Sequence, residues 1–260
     1  NKIINDAVAE AMKAAPIYSF TSHDGIRHNV WRIDHDELIL KIKNAFEDID
    51  SISIADGHHR AASAVKVGLM RRKSNPGYTG REEFNYFLAV LFPHDQLMIM
   101  PYNRVVKDLN GLTEDEFLAE VSRKFELTLI GSEPFAPEKK AVFGMYLDGK
   151  WYRLVTKDFI INSKDPVAGL DVSILQDNLL RPVLGINDPR TDKRIDFIGG
   201  IRGLKELERR ANEDMKVAFS LYPTSIEELF AVSDAGLLMP PKSTWFEPKL
   251  RSGLFIHKLS

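Results

Sequence analysis

One segment limits the fold of this chain more than any other: IADGHHR, residues 54–60. Residues 51–55 read as a short strand, Asp56 and Gly57 turn the chain, and the small-residue run AASAVKVGLM continues a helix that starts at His58. A strand that feeds a helix through one turn lays that helix on its own sheet, and Ala61, Ala62 and Ala64 let the two pack closely. The same corner has chemistry. The first N–H groups of a helix lack internal partners and the dipole makes that end positive, so a phosphate fits there. Gly57 permits either close approach by a ligand or a strained turn. Side chains lean toward the N-terminus of their helix, so Arg60 can reach back over the same spot and grip phosphate oxygens in bidentate fashion. His58 and His59 diverge by about 100° on a helix, so at most one of them faces a ligand squarely.

Asp56 has two readings. As a plain N-cap its carboxylate accepts from the first-turn N–H groups, and the histidines are packed or exposed. Beside a bound phosphate it would compete for those groups, and so must face Mg²⁺ or a substrate hydroxyl. Zinc is less well served: Asp56, His58 and His59 lack the HxxxH spacing, and no remote third histidine stands out.

The rest of the chain alternates in the same manner. Residues 3–12 repeat apolar side chains at helical spacing, and Pro16 ends that pattern. Residues 17–21 and 27–33 form hairpin arms about Asp24 and Gly25. A helix follows over 36–46. The polar stretch 71–83, with Pro76, Gly77 and Gly80, is a loop or a lid, and the apolar runs 85–92 and 97–101 are strands covered on both faces. Thr113 and Glu116 stand in capping-box spacing before a helix over 113–125. Strands are expected at 127–130, 141–147 and 151–155, with Asp148 and Gly149 as the turn between the last two. Helices follow at 170–180 and 203–212, then a strand at 217–221 and a helix at 225–232 with Ser225 and Glu228 as a second box. The pattern is that of an α+β protein: one body, or two parts, 1–108 and 109–260, with a soft boundary. A chain that opens inside a helix without an initiator Met reads as a fragment of a longer protein.

Thirty-five lysines and arginines against 37 aspartates and glutamates leave a formal net charge of −2, which excludes holding nucleic acid through bulk charge. Phe84, Tyr86, Phe87 and Phe92 lie in strand-like runs and read as core rather than as a base-stacking platform. The absence of cysteine excludes a disulfide scaffold, a thiolate zinc site, a cysteine-held iron–sulfur cluster and a cysteine nucleophile, and fits a reducing cytoplasm. No apolar run approaches the ~18–20 residues of a membrane span, so no membrane partner is expected.

Several longer segments resemble one bacterial and archaeal family: HDGIRHNVWRID, IADGHHRAASA, FLAVLFPHDQLMIMPYNRVVKDLNG, LDVSILQDNLLRPVLGINDPRTDKRIDFIGGIRGLKELE, FSLYPTSIEEL and MPPKSTWFEPKLRSGLFIH. The family is catalogued as domain of unknown function number one thousand and fifteen, and the resemblance runs from about Tyr18 to His257. It is more distantly similar to the ParB/sulfiredoxin superfamily and to the free-serine kinases of that fold. The resemblance implies a ParB/sulfiredoxin-like core of mixed sheet with packed helices, followed by a C-terminal α/β extension. In sulfiredoxins the turn carries a catalytic cysteine; His58 stands there instead, which excludes sulfinic acid reduction. ParB proteins contact CTP phosphates through a GERR turn, where this chain has His58 and His59. The serine kinases carry DGHHR, matched by Asp56, Gly57, His58, His59 and Arg60. The resemblance to them implies nucleotide phosphates at Gly57, His58, His59 and Arg60, and Asp56 as the catalytic residue near the transferred phosphoryl group. It also implies ATP or ADP with Mg²⁺ as cofactor, and a small hydroxylated metabolite as acceptor. Those kinases use a further acidic residue from their N-terminal part.

Three weaker constellations could complete such a site. Arg190, Lys193 and Arg194 stand among Asp188, Asp192 and Asp196, as a self-paired loop or as a second layer around a phosphate. The glycines of IGGIRG, 198–203, could form an anion nest but lack the Gly-Lys-Ser/Thr of a P-loop. Lys242, Ser243 and Thr244, between stiff prolines and aromatic residues, form either a lid over a phosphate or a tail docked on the core. The leading expectation is phosphoryl transfer; the alternatives are a non-enzymatic ParB-like nucleotide switch and an inactive interaction scaffold.

Overall fold

The computed structural model describes residues 1–162 and 164–259. It divides into two units, Asn1–Ile54 and Ala55–Ser260. The described residues form seven α-helices and sheets of two, two and six strands, a mixed α+β architecture.

In the first unit, α1 (Lys2–Ala11) starts where the Asn1 side chain accepts from the Ile3 and Ile4 N–H groups. β1 (Tyr18–Thr21) and β2 (Arg27–Val30) pair antiparallel as the expected hairpin, with Gly25 at φ 80° in its turn. α2 (Asp36–Glu47) follows, its negative first turn matching the positive end of its dipole. Residues 51–55, expected as a strand, are irregular. A strand exists only through a ladder partner, and none pairs with this stretch among the described residues.

The second unit begins with α3 (His58–Ser74). This helix runs four residues into the stretch expected as loop, because Arg71, Arg72 and Lys73 favour a helix C-terminus. Residues 85–92 are a second correction. The apolar run predicts a buried strand, but it lies outside every sheet, and Phe87, Leu88 and Leu91 are each about half exposed. β3 (Met98–Met100) pairs with β10 (Trp245–Glu247) in a small antiparallel ribbon.

The main body is a six-stranded sheet in the order β5-β7-β6-β9-β4-β8, antiparallel throughout. Its strands are β4 (Tyr102–Val106), β5 (Phe125–Gly131), β6 (Val142–Leu147), β7 (Lys150–Thr156), β8 (Ile195–Gly199) and β9 (Val217–Leu221). The β6–β7 turn places Asp148 at φ 47° and Gly149 at φ 76°, both left-handed, as a two-residue hairpin requires. β4 lies before residue 108 in sequence and pairs with β8 and β9, which lie after it.

Alternation along β6 sends Phe143, Met145 and Leu147 to one face, where they join Phe117 and Val121 of α4 (Glu114–Lys124) and the buried residues of α5 (Asp171–Leu175). Val105, Tyr146, Trp151 and Ala218 meet Leu207 of α6 (Leu204–Glu213) in a second cluster. The sheet thus has helices on both faces, in antiparallel rather than α/β form. Both expected capping boxes are present, Thr113/Glu116 on α4 and Ser225/Glu228 on α7 (Ile226–Asp234). A π-helical turn, Gln176–Leu180, continues α5.

Candidate functional site

The chain enters α3 through Gly57, which takes φ 87°, ψ 26° and is itself the N-cap; no side chain caps this end. Only glycine adopts that conformation without strain. Asp56 is therefore one residue too early to cap the helix. Its Oδ1 accepts the Gly57 N–H at 2.7 Å. The first helical N–H group with an acceptor is that of Ala61, to the Gly57 carbonyl at 2.9 Å. The N–H groups of His58, His59 and Arg60 have no hydrogen-bond partner among the described residues, so the positive end of a 17-residue helix is open.

Arg60 folds back over this end. A Cβ built on Gly57 would stand 3.1 Å from its Nη2, 3.2 Å from Nε and 3.3 Å from Cζ. The guanidinium makes no hydrogen bond or ion pair within 4 Å among the described residues. Asp56 feels its charge electrostatically. His58 and His59 are exposed at the same turn.

A cation from a distant part of the sequence completes the corner. Lys249 Nζ lies 3.0 Å from Asp56 Oδ2, with both side chains about half exposed. Burial pushes the Asp56 carboxyl up, but the Lys249 ammonium, the Gly57 N–H and Arg60 together hold it below the usual carboxylate range. Asp56 is thus ionised at neutral pH.

Lys249 is positioned by a braced strap. Its ammonium stands 5.2 Å from the Trp245 ring centroid, and its N–H donates to Glu247 Oε2 at 3.0 Å. Trp245 Nε1 donates to the other oxygen of Glu247 at 2.7 Å, and β10 is held by β3. The indole lies on Gly199, where a Cβ would come within 2.4 Å of Cε3. Gly200 is packed as tightly on Pro101, at 2.7 Å. Close packing accounts for Gly199 and Gly200 of IGGIRG, whereas its third glycine, Gly203, takes φ 73° at the N-cap of α6.

Lys242, Ser243 and Thr244 begin this strap. Lys242 projects over the Tyr102 ring at 5.5 Å. Ser243 is buried, and its hydroxyl donates to the Pro240 carbonyl at 2.5 Å. Its own carbonyl accepts from Thr224 Oγ1 at 3.3 Å. Thr244 is half-buried. The buried Arg104 fixes the same bend, donating from Nη2 to the Lys242 carbonyl at 3.0 Å. Burial pushes the Arg104 guanidinium down to about 9, with Tyr102 opposing the shift.

Arg190 and Arg194 are engaged elsewhere. Arg190 makes a bidentate pair with Asp188 at 3.0 and 2.9 Å. Arg194 spans Asp192 at 3.0 Å, Asp108 at 3.3 Å, and the Leu184 and Gly185 carbonyls at 3.1 Å each. Lys193 is exposed. The geometry therefore joins Asp56, Gly57 and Arg60 with Lys249, a residue that sequence reasoning passed over for Lys242. The available signal was that Pro248-Lys249 closes the same Pro-rich segment.

No group of three or more His, Asp or Glu side chains is arranged to hold a metal ion among the described residues. No helix among them is long and apolar enough to cross a membrane.

No curated protein matches the chain. Among solved structures, a mutant free serine kinase in complex with AMP aligns at 16% identity and a TM-score of 0.40, covering 74% of this chain and 66% of that one. A second free serine kinase mutant, in complex with ADP, gives 15% identity, a TM-score of 0.40 and the same coverage. The chain thus spans just under two thirds of the length of these kinases. A conserved hypothetical protein from Pyrococcus furiosus aligns at 12% identity and a TM-score of 0.39, over 94% of this chain and 82% of its own. The family described as "Protein of unknown function (DUF1015)" matches residues 1–173, two thirds of the sequence, and the chain belongs to it.

Proposed function

We propose that the corner at Asp56–Arg60 binds the phosphates of ATP or ADP, and that the protein transfers a phosphoryl group to a hydroxyl of a small metabolite. One observation carries this reading. Arg60 places a guanidinium against the positive end of its own helix, beside three N–H groups that have no acceptor among the described residues. Like charges gathered in this way repel unless an anion enters between them. Phosphate oxygens satisfy the N–H groups, the guanidinium and the dipole together. The DGHHR resemblance points to the same ligand class, and through it we read a ParB/sulfiredoxin-like core in this part of the chain.

The geometry supports the following roles. The N–H groups of His58, His59 and Arg60 and the Arg60 guanidinium hold the phosphates and stabilise charge on the transferred group. Asp56 is ionised, lies just before the helix start and can orient an acceptor hydroxyl and receive its proton. The hydroxyl oxygen forms the new P–O bond as the bond to the nucleotide leaving group breaks. A single carboxylate together with nucleotide phosphates suits Mg²⁺, which seldom takes an all-protein cage. Asp56 would be its protein ligand, and the ion would neutralise phosphate charge.

Asp56→Asn tests this reading, because it keeps shape and removes charge. Turnover with a panel of hydroxylated metabolites should fall by about 10²–10⁴-fold, while nucleotide still binds without Mg²⁺, at least as tightly as to wild type. Turnover equal to that of wild type would remove Asp56 from the chemistry. Nucleotide binding without turnover by wild type, coupled to dimerisation, would favour a switch.

A further inference from the structure

We propose that Lys249 is a second phosphate-binding cation of this site, held in reserve on Asp56 until a ligand arrives. The proposal rests on the phosphate-binding reading of the corner and assigns it a residue lying 193 positions further along the chain.

Three observations carry it. First, Lys249 is brought to Asp56 by a braced element and not by a free tail. Strand pairing, the Trp245–Gly199 contact and the Glu247 hydrogen bonds fix residues 245–249 before the ammonium is reached. An isolated surface ion pair needs no such support and contributes little. Second, Asp56 pairs with Lys249 at 3.0 Å and also feels the charge of Arg60. One carboxylate between two cations and an open helix end leaves the corner short of negative charge. Third, the pair is about half exposed on both sides, so Lys249 can turn to an incoming anion without crossing a buried barrier. Its ammonium also lies 5.2 Å from the Trp245 ring centroid, a second cation contact that holds it near the corner.

Lys249 then does two things. Bound to Asp56, it keeps the carboxylate ionised and neutralised in the free protein. When phosphates enter, the ammonium transfers to a phosphate oxygen, and Asp56 is released for Mg²⁺ or the acceptor hydroxyl. Asp56 and phosphate thus compete for one ammonium, and that competition gives the test a distinct signature.

The experiment is a double-mutant cycle on the full chain without Mg²⁺, with ATP and inorganic tripolyphosphate as probes in calorimetric titrations. Lys249→Gln should weaken both probes by about 10–100-fold, the loss of one charge-assisted contact. Asp56→Asn should tighten both, because it frees the ammonium and removes a negative charge. The decisive term is the coupling: in the Lys249→Gln background, most of the tightening by Asp56→Asn should vanish. Additive effects, or wild-type affinity in Lys249→Gln, would overturn the proposal and leave Lys249 a tether. Tripolyphosphate binding with intact coupling but no ATP binding would uphold Lys249 and reject the nucleotide reading. Binding of neither probe by wild type would overturn both.

Discussion

Asp171 is a buried acid whose environment favours its neutral form, and replacing it should alter how stability depends on pH. The residue is 8% exposed. Its Oδ1 accepts the Ala141 N–H at 2.9 Å, while its Oδ2 is buried with no hydrogen-bond partner among the described residues. Burial raises its pKa to about 7; the Ala141 N–H opposes the shift, Glu228 adds to it and Lys140 works against it. Lys140 is itself paired with Glu228. In the unfolded chain the carboxyl titrates near 3.8. Below that pH both states are protonated and the group contributes no difference. As pH rises from about 4 to 7 the unfolded chain ionises while the folded protein holds its proton, so stability falls throughout this window. Above about 7 both states are ionised and the loss is complete. A rise of about three pKa units corresponds to ~4 kcal/mol. Asp171→Asn keeps the acceptor for Ala141 and removes the ionisation. Urea unfolding at intervals from pH 4.5 to 8.5, followed by tryptophan fluorescence, should show the variant gaining on wild type as pH rises. At pH 8.5 it should be more stable by about 2–4 kcal/mol. Parallel pH profiles for the two proteins would refute the reasoning.

Two further predictions concern the site and its brace. Arg60→Ala should weaken nucleotide binding by about 10–150-fold with the fold intact, and equal calorimetric affinities would remove Arg60 from the site. Gly199→Ala forces a methyl to within 2.4 Å of Trp245 and should cost about 1–3 kcal/mol of stability; an unchanged urea midpoint would show that the indole is not held there.

Local chemistry made much of the secondary structure legible. Thr113 and Glu116, Ser225 and Glu228, Asp148 and Gly149 are short-range signals, and each sits where its own hydrogen bonds or backbone torsions require. The turn at Gly57 and the reach of Arg60 are equally local, a matter of a left-handed residue and of side chains that lean toward a helix N-terminus. β4, β8 and β10 were not legible. β4 buries Asn103 and Arg104 in mid-strand, where polarity hides the alternation. Their partners lie far away: the Asn103 side chain accepts the Leu221 N–H at 3.1 Å, and Arg104 holds the Lys242 carbonyl. The run 85–92 errs in the opposite sense, since hydrophobicity alone does not supply the neighbouring strand that a ladder needs.

The sequence by itself therefore determined the elements whose stabilising contacts lie within about four residues, and with them the open, positive corner at Gly57. Tertiary structure alone decided the strand order, the packing role of Gly199 and Gly200, and the meeting of Asp56 with Lys249. The physical reason is range. A cap or a tight turn is satisfied by its own neighbours, whereas an ion pair across 193 residues exists only after a two-stranded ribbon, an indole and a buried guanidinium have brought its partners together.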